Sequence, residues 1–192
     1  MTGVIILAAG ESKRLGKPKQ NLLYQDKTLL QRIIESVLET KCRPVIVVLG
    51  AYSETIHPAI SKQDVHIIHN TEWREGMASS LRRGVAAVQN DPDVDSTLIL
   101  LCDQPFVDSK LLEIMVYEHA VSDKGIVACA YNNTIGVPVL FSNRYFFSLL
   151  HLKGHEGARK LLRANKNDIQ TVPFTLGSVD IDTIDDYESL VG

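Results

Sequence analysis

Cysteine is scarce in this chain, and what there is does not pair. Among 192 residues stand three cysteines, Cys42, Cys102 and Cys129, an odd number with no C-x-x-C spacing. That excludes a disulfide-framed module and a zinc ribbon, and it points to buried free thiols in a reducing compartment. Long hydrophobic runs are missing as well. No apolar stretch nears the roughly 20 residues that a membrane span requires. The N-terminus lacks a basic region followed by an apolar segment, so no secretory signal is expected and the expected location is cytoplasmic. Charge of one sign is also lacking: 20 basic and 23 acidic residues leave a net charge of −3. No overall basic field therefore draws the chain to nucleic acid or to a membrane surface. Positive charge is local, gathered at the first loop and at Arg82-Arg83. No serine sits in a G-x-S-x-G elbow. The cysteines lack the basic neighbours of a nucleophile. His66 and His69 fall three apart on a strand, so they face opposite ways and cannot chelate one metal. His57, His119 and His151 read as isolated.

What is present is an ordinary globular composition, with 45% hydrophobic and 22% charged residues. The length suits one domain with a full core. Strands are expected at Val4–Ala9, Val45–Leu49, Val65–Ile68, Thr97–Leu101, Ile126–Ala130, Pro138–Phe141 and Ile169–Val172. Helical spacing follows Thr28, where Leu29, Leu30, Ile33, Ile34, Val37 and Leu38 recur on one face. Further helices are expected from Ser79 to Gln89, Ser109 to Val121, Asn143 to Leu150 and Gly157 to Leu162, and after a cap at Asp182 or Thr183. The first strands are apolar without alternation, as in strands buried on both faces. The rhythm predicts a three-layer α/β/α fold around a mostly parallel sheet. One domain is expected over 1–192, with an acceptor lobe built by the second half around the same sheet.

The most informative segment is Gly3–Lys19. An apolar run ends in a loop that holds Gly10 and Gly16, with Lys13, Arg14, Lys17 and Lys19 around them. Ligands of parallel sheets gather at the carboxyl ends of the strands, and a hinged cationic loop there suits a polyphosphate. It is not Walker A, because five residues separate the glycines and Pro18 follows Lys17. It is not G-x-G-x-x-G either, since Glu11 and Ser12 follow Gly10. A second strand ends directly in Asp103, a hard oxygen donor suited to Mg²⁺ where phosphates complete the shell; an N-cap before Pro105 is its plain alternative. In Asp180-Ile-Asp-Thr183, alternation sends Asp180 and Asp182 to one face. Asp182 is assigned to the metal, although a capping box at the helix start explains the same residues. Gly76 permits close backbone approach, and Ser79 and Ser80 open a helix whose free amides suit a ligand. In Gly154–Arg159, two glycines bracket His155 and Glu156, and Arg159 offers a planar fork for an anion.

These segments, in this order, resemble the molybdenum cofactor cytidylyltransferase group of the Rossmann-like nucleotidyltransferases. The likeness spans nearly the whole chain. Its motifs are Leu7–Lys19, Asn70 with Trp73 and Gly76–Leu81, Asp103-Gln-Pro105, Gly136-Val-Pro138, Gly154–Arg159 and Asp180–Thr183. Leu15 stands where Met is frequent, and His155 where an acidic residue is frequent.

The resemblance implies transfer of CMP from CTP to the phosphate of molybdopterin, with release of pyrophosphate. Leu7, Ala8, Ala9, Gly10, Arg14, Gly16, Lys19, Asn70, Gly76, Ser79, Ser80 and Asp103 would hold the nucleotide. Asp103 and Asp182 would hold Mg²⁺. Lys19, Arg14 and Asp103 would carry the chemistry. Gln104, Gly136, Pro138, His155, Glu156 and Arg159 would meet the acceptor. A transient contact with a molybdenum enzyme or delivery protein is expected. The alternatives are GTP as donor, a sugar or polyol phosphate as acceptor, or a non-catalytic role in maturing a molybdenum hydroxylase.

Overall fold

A computed structural model describes all 192 residues. Nine strands form: β1 (Thr2–Ala8), β2 (Leu23–Tyr24), β3 (Lys27–Thr28), β4 (Val45–Leu49), β5 (His66–His69), β6 (Ser96–Leu101), β7 (Ile126–Tyr131), β8 (Thr134–Ser142) and β9 (Ile169–Pro173). Seven helices accompany them: α1 (Leu29–Leu38), α2 (Ser53–Ile60), α3 (Met77–Val88), α4 (Ser109–Val121), α5 (Phe146–Leu150), α6 (Ala158–Ala164) and α7 (Ile184–Val191). A seven-stranded sheet runs β5-β4-β1-β6-β8-β7-β9. Its strands are parallel except β8, which is antiparallel to both β6 and β7. The expected three-layer α/β architecture is what forms.

The reason lies in β1, all of which is buried. Val4, Ile6 and Ala8 point into one core with Leu30, Ile33 and Ile34 of α1, Ile56 and Ile60 of α2, and Leu112 and Met115 of α4. Ile5 and Leu7 point into the other core with Leu81, Val85 and Val88 of α3, Leu149 of α5, and Leu161 and Leu162 of α6. A strand that must be apolar on both faces reads as an unbroken hydrophobic run. Thr28 caps α1, with its hydroxyl on the Gln31 amide and the Gln31 side chain on the Thr28 amide.

Several elements depart from the sequence expectations: the β2–β3 hairpin is not among them, and α3 opens at Met77 behind Gly76, so Ser79 and Ser80 lie inside its first turn rather than at its start. Helix α2 forms around Pro58 and follows Tyr52, whose φ of 62° is left-handed, so no ordinary start signal marks it. Strand β8 begins at Thr134, well before Pro138, because it pairs with β7 through a short turn. No helix is long and apolar enough to cross a membrane.

The carboxyl ends of β1 and β6 lie side by side, and the chain leaves β1 toward β4 on the opposite side from β6. Such a switch point opens a crevice above the strand ends.

Candidate active site

A cleft of about 740 Å³ opens at that point. Its wall is the end of β1 with the loop after it, Leu7 to Lys13, together with Lys19, Gln20, Trp73, Gly76, Ser80 and the end of β6 at Asp103. Residues 10–19 wrap on themselves. The Ser12 carbonyl accepts from the Leu15 and Gly16 amides, and its hydroxyl accepts from the Lys19 amide at 3.2 Å. Gly16 takes φ +70° at the turn, a conformation glycine adopts without strain. Gln20 is fully buried and donates to the carbonyls of Ala8 (2.8 Å) and Gly10 (3.1 Å), which ties the loop to the strand it leaves.

Leu15 anchors the other side. With Leu22, Leu29 and Ile181 it forms a small separate core, flanked by Tyr24, Tyr187 and Leu190. Ile181 in turn donates its amide to the Asp103 carbonyl at 3.0 Å. One apolar pin therefore fixes three things relative to each other: the first loop, the end of β6, and the segment carrying Asp180 and Asp182. Thr183 caps α7 in a capping box with Asp186, and Asp186 also accepts from the Asp182 amide at 3.0 Å. The capping box thus leaves the Asp182 carboxylate free to meet Lys19 and Arg14, although Asp182 itself does not line the cleft.

The charged centre is Lys19. Its ammonium donates to Asp103 Oδ2 at 2.5 Å and to Asp182 Oδ1 at 3.0 Å, with the Lys19 and Asp103 side chains 15% and 12% exposed. Arg14 donates to the second Asp182 oxygen at 2.6 Å. Burial is the largest single influence and works against the Lys19 charge, but the Asp103 charge and the hydrogen bonds to Asp103 and Asp182 together outweigh it and hold the lysine above its ordinary pKa. Asp182 goes the other way: desolvation is overcome by Lys19 and Arg14, and its pKa lies below the usual carboxylate range. Asp180 stands beside them. Burial, then the charges of Asp103 and Asp182, push it up to about 6. Cys102 is pushed up to about 12 by burial and the Asp103 charge, so it is an inert thiol at the strand end.

The donor set fits a divalent cation. Asp103 Oδ1 is buried and has no hydrogen-bond partner. Asp103 and Asp182 already converge on one positive group. Both offer hard oxygen atoms, as Mg²⁺ or Mn²⁺ prefers. No three carboxylate, imidazole or thiolate groups form a self-sufficient cage, so further ligands would come from a substrate or water.

The expected nucleotide residues divide into two groups. Leu7, Ala8, Ala9, Gly10, Lys19, Gly76, Ser80 and Asp103 line the cleft, whereas Arg14, Gly16, Asn70 and Ser79 do not. Asn70 is 1% exposed and donates to the Ser79 and Ser80 hydroxyls, both at 2.9 Å. Its own oxygen accepts from the Glu72 amide, and Ser79 donates to the Gly76 carbonyl. These two hold the 70–80 loop in shape from behind.

The expected acceptor residues divide likewise. A second pocket of about 310 Å³ is lined by Gly136, His155 and Arg159. Gln104 is buried and donates to the Val137 and Gly177 carbonyls, bracing that wall. Pro138, in a cis peptide, is buried behind it. Glu156 accepts from Lys160 and from the Lys153 amide at the surface. Leu7, Met77, Leu101 and His155 line both pockets, so the two spaces share a wall. The seam is tight. The Ala78 amide donates to the Gly154 carbonyl at 3.0 Å, and Gly76, at φ +122°, sits where any Cβ would overlap that carbonyl.

Sequence reasoning assigned no part to Gln20 or Asp180. Gln20 has no local signature, since its partners are backbone carbonyls of a strand end. Asp180 is visible only as the alternating partner of Asp182. His57, read as isolated, lies against His69 with ring centroids 5.1 Å apart and the rings tilted by 53°.

A family model described as a MobA-like NTP transferase domain matches residues 4–169. The molybdenum cofactor cytidylyltransferase of Escherichia coli (strain K12) is 26% identical over 186 residues, covering 95% of this chain and 92% of that protein. A nicotine blue oxidoreductase of Paenarthrobacter nicotinovorans is 38% identical over 106 residues, a match that spans 55% of this chain and half (50%) of that relative. The crystal structure of Rv0371c from Mycobacterium tuberculosis H37Rv superposes with a TM-score of 0.85 at 30% identity, covering 99% of this chain and 96% of that one. A structure of Rv0371c in complex with manganese gives 0.81 at 27% identity, covering 99% and 97%.

Proposed function

This chain belongs to the MobA-like NTP transferase family, and from that premise we propose that it transfers CMP from CTP to the terminal phosphate of molybdopterin and releases pyrophosphate. One observation carries the reading: Lys19 and Asp103 line a cleft walled by the Leu7–Lys13 loop, and the Lys19 ammonium bridges Asp103 to Asp182 beside it. Cleft and pocket share the wall Leu7, Met77, Leu101 and His155, which supports donor and acceptor meeting there. On this reading the chain is one domain whose first half takes the nucleotide and whose second half takes the acceptor.

The triphosphate lies along the Gly10–Lys13 backbone. Leu7, Ala8 and Ala9 offer backbone groups to the base, and Ser80 and Gly76 close its far side. Asn70 and Ser79 set the shape of that side, and Gly16 shapes the turn of the loop. Asp103 and Asp182 would hold a divalent cation, Mg²⁺ being the expected one, which would supply charge to offset the phosphate oxygens. With both carboxylates so engaged, the Lys19 ammonium is left to pair with the α-phosphate, and Arg14 with the outer phosphates. The acceptor enters past Gly136, His155 and Arg159, on a wall braced by Gln104 and Pro138. Its phosphate oxygen forms the new bond to the α-phosphorus in line, and the bond to the β-phosphate bridging oxygen breaks. No general base is required, because the nucleophile is already anionic. Catalysis then rests on positioning and charge stabilisation.

The test is direct. The protein is incubated with each of the four triphosphates, Mg²⁺ or Mn²⁺, and molybdopterin, and the nucleotide product is identified by mass. A cytosine dinucleotide is expected. A product formed only from GTP overturns the donor. Turnover only with a sugar or polyol phosphate overturns the acceptor. Tight CTP binding without turnover on any acceptor favours an accessory role.

A further inference from the structure

The two arginines that mark positive charge in the first half are neutralised in the fold: Arg82 pairs with Glu75 and Arg83 with Glu72. A cluster of unpaired positive charge lies elsewhere. Arg159 and Arg163 on α6 and Lys166 just after it are exposed and make neither an ion pair nor a side-chain hydrogen bond. They line a groove of about 360 Å³ with exposed Thr134 and Thr171 and with apolar Leu162 and Ile169. The groove continues from the acceptor pocket, because Arg159 and Leu162 line both. All this sits on a chain whose net charge is −3.

We infer that this groove docks an extended acidic segment of a partner protein. The cations follow one another along the chain, Arg159 and Arg163 on one face of α6 and Lys166 after its end. Arg159 and Arg163 lie one helical turn apart, about 6 Å along the axis. Alternate side chains of an extended peptide repeat at about 6.6 Å, so successive Glu or Asp residues meet successive cations. A single phosphate engages one or two of them and leaves the apolar Leu162 and Ile169 bare. The hydroxyls of Thr134 and Thr171 suit the peptide backbone, and Ile169 suits side-chain methylenes. Such a partner would stand at the mouth of the acceptor pocket, where a small-molecule ligand passes in or out.

The experiment uses the full chain and a fluorescein-labelled ten-residue polyglutamate peptide, read by fluorescence anisotropy at low salt. Binding is expected and should weaken steeply as salt rises. The double variant Arg163→Glu/Lys166→Glu should lose about tenfold or more in affinity, because exposed charge pairs act mainly through the summed field. The milder Arg163→Gln/Lys166→Gln should fall in between, and its circular dichroism should match that of the parent. Lys62→Glu, an exposed lysine on the other side of the sheet, should leave binding unchanged. Equal affinity of the double variant overturns the inference. So does displacement of the peptide by sub-millimolar inorganic phosphate, which marks a small-anion site, and so does tighter binding of a single-stranded oligonucleotide. Turnover on small-molecule substrates is read separately, so failure of the docking site leaves the proposed reaction standing.

Discussion

Replacing Lys19 with methionine separates two roles that the geometry gives to one ammonium. Methionine keeps the length of the side chain and removes its charge. Asp103 Oδ2 then loses its only partner, and Oδ1 has none to begin with. Breaking a buried pair costs about 3–5 kcal/mol when the remaining charge stays uncompensated. The low end applies here, because both side chains keep some contact with solvent. About 3 kcal/mol corresponds to a fall in Tm of roughly 6–12 °C for a chain of this size. The same change should strengthen metal binding without nucleotide, since the ammonium stands between the two carboxylates that a cation would use. Each charge-assisted bond is worth about 1.5–3 kcal/mol. Relief of even part of that raises Mn²⁺ affinity by about 10- to 100-fold. Titration calorimetry with Mn²⁺, with and without CTP, reads the affinity. Thermal denaturation reads the stability, and added Mn²⁺ should recover part of it by mass action. Turnover should drop more in kcat than in KM, because the Lys19 charge is needed most as charge shifts toward the leaving group. A Lys19→Met protein with unchanged Tm and unchanged Mn²⁺ affinity refutes the reasoning.

Three further outcomes follow from the same structure. Leu15→Ala empties the small core around Ile181 and should cost about 2–4 kcal/mol; because that core aligns the loop with Asp182, KM for the triphosphate should rise as well, read by steady-state kinetics. Gly76→Ala meets both a left-handed φ of +122° and the Gly154 carbonyl, a strain of about 1–3 kcal/mol, and should raise KM for the acceptor at least as much as KM for the nucleotide. Asp168 accepts from Tyr145, from Arg144 and from the Gly125 amide, and although burial opposes its charge, these partners hold its pKa below the ordinary value. A carboxylate with a depressed folded pKa stabilises above the unfolded value of about 3.9 and loses that contribution as pH falls through the folded one. Asp168→Asn should therefore be less stable by about 1–2 kcal/mol at neutral pH, with the gap closing toward pH 3 in a series of thermal melts.

Much of the frame is legible in the sequence because it rests on local rules. Val4–Ala8 and Val45–Leu49 are apolar at every position, and only a strand covered on both faces requires that. Thr28 and Thr183 announce their helices through hydroxyls that reach amides three residues away. Helix α2 escapes such reading because Pro58 and a left-handed Tyr52 contradict the usual signals, and packing of Ile56 and Ile60 against the sheet outweighs them. Site residues are legible as a set but not in their parts. Asn70, Ser79, Gln104 and Pro138 carry the motifs yet lie behind the walls, and Arg14 turns to Asp182. Residue type and spacing do not say whether a polar side chain faces a ligand or holds the backbone that does.

By itself the sequence determined the layered frame, the glycine-hinged cationic loop and the acidic residue at a strand end, because these follow from burial on two faces and from spacing within a few residues. Only the tertiary structure decided which charges meet. Lys19 and Asp182 are 163 positions apart, and what brings them within a hydrogen bond is the packing of Leu15 on Ile181 and one amide donated to the Asp103 carbonyl. Which arginines find a partner was decided there too: Arg82 and Arg83 meet Glu75 and Glu72 through the turn into α3, while Arg159, Arg163 and Lys166 are left free. Ion pairing depends on distances that apolar packing sets between elements far apart in the chain.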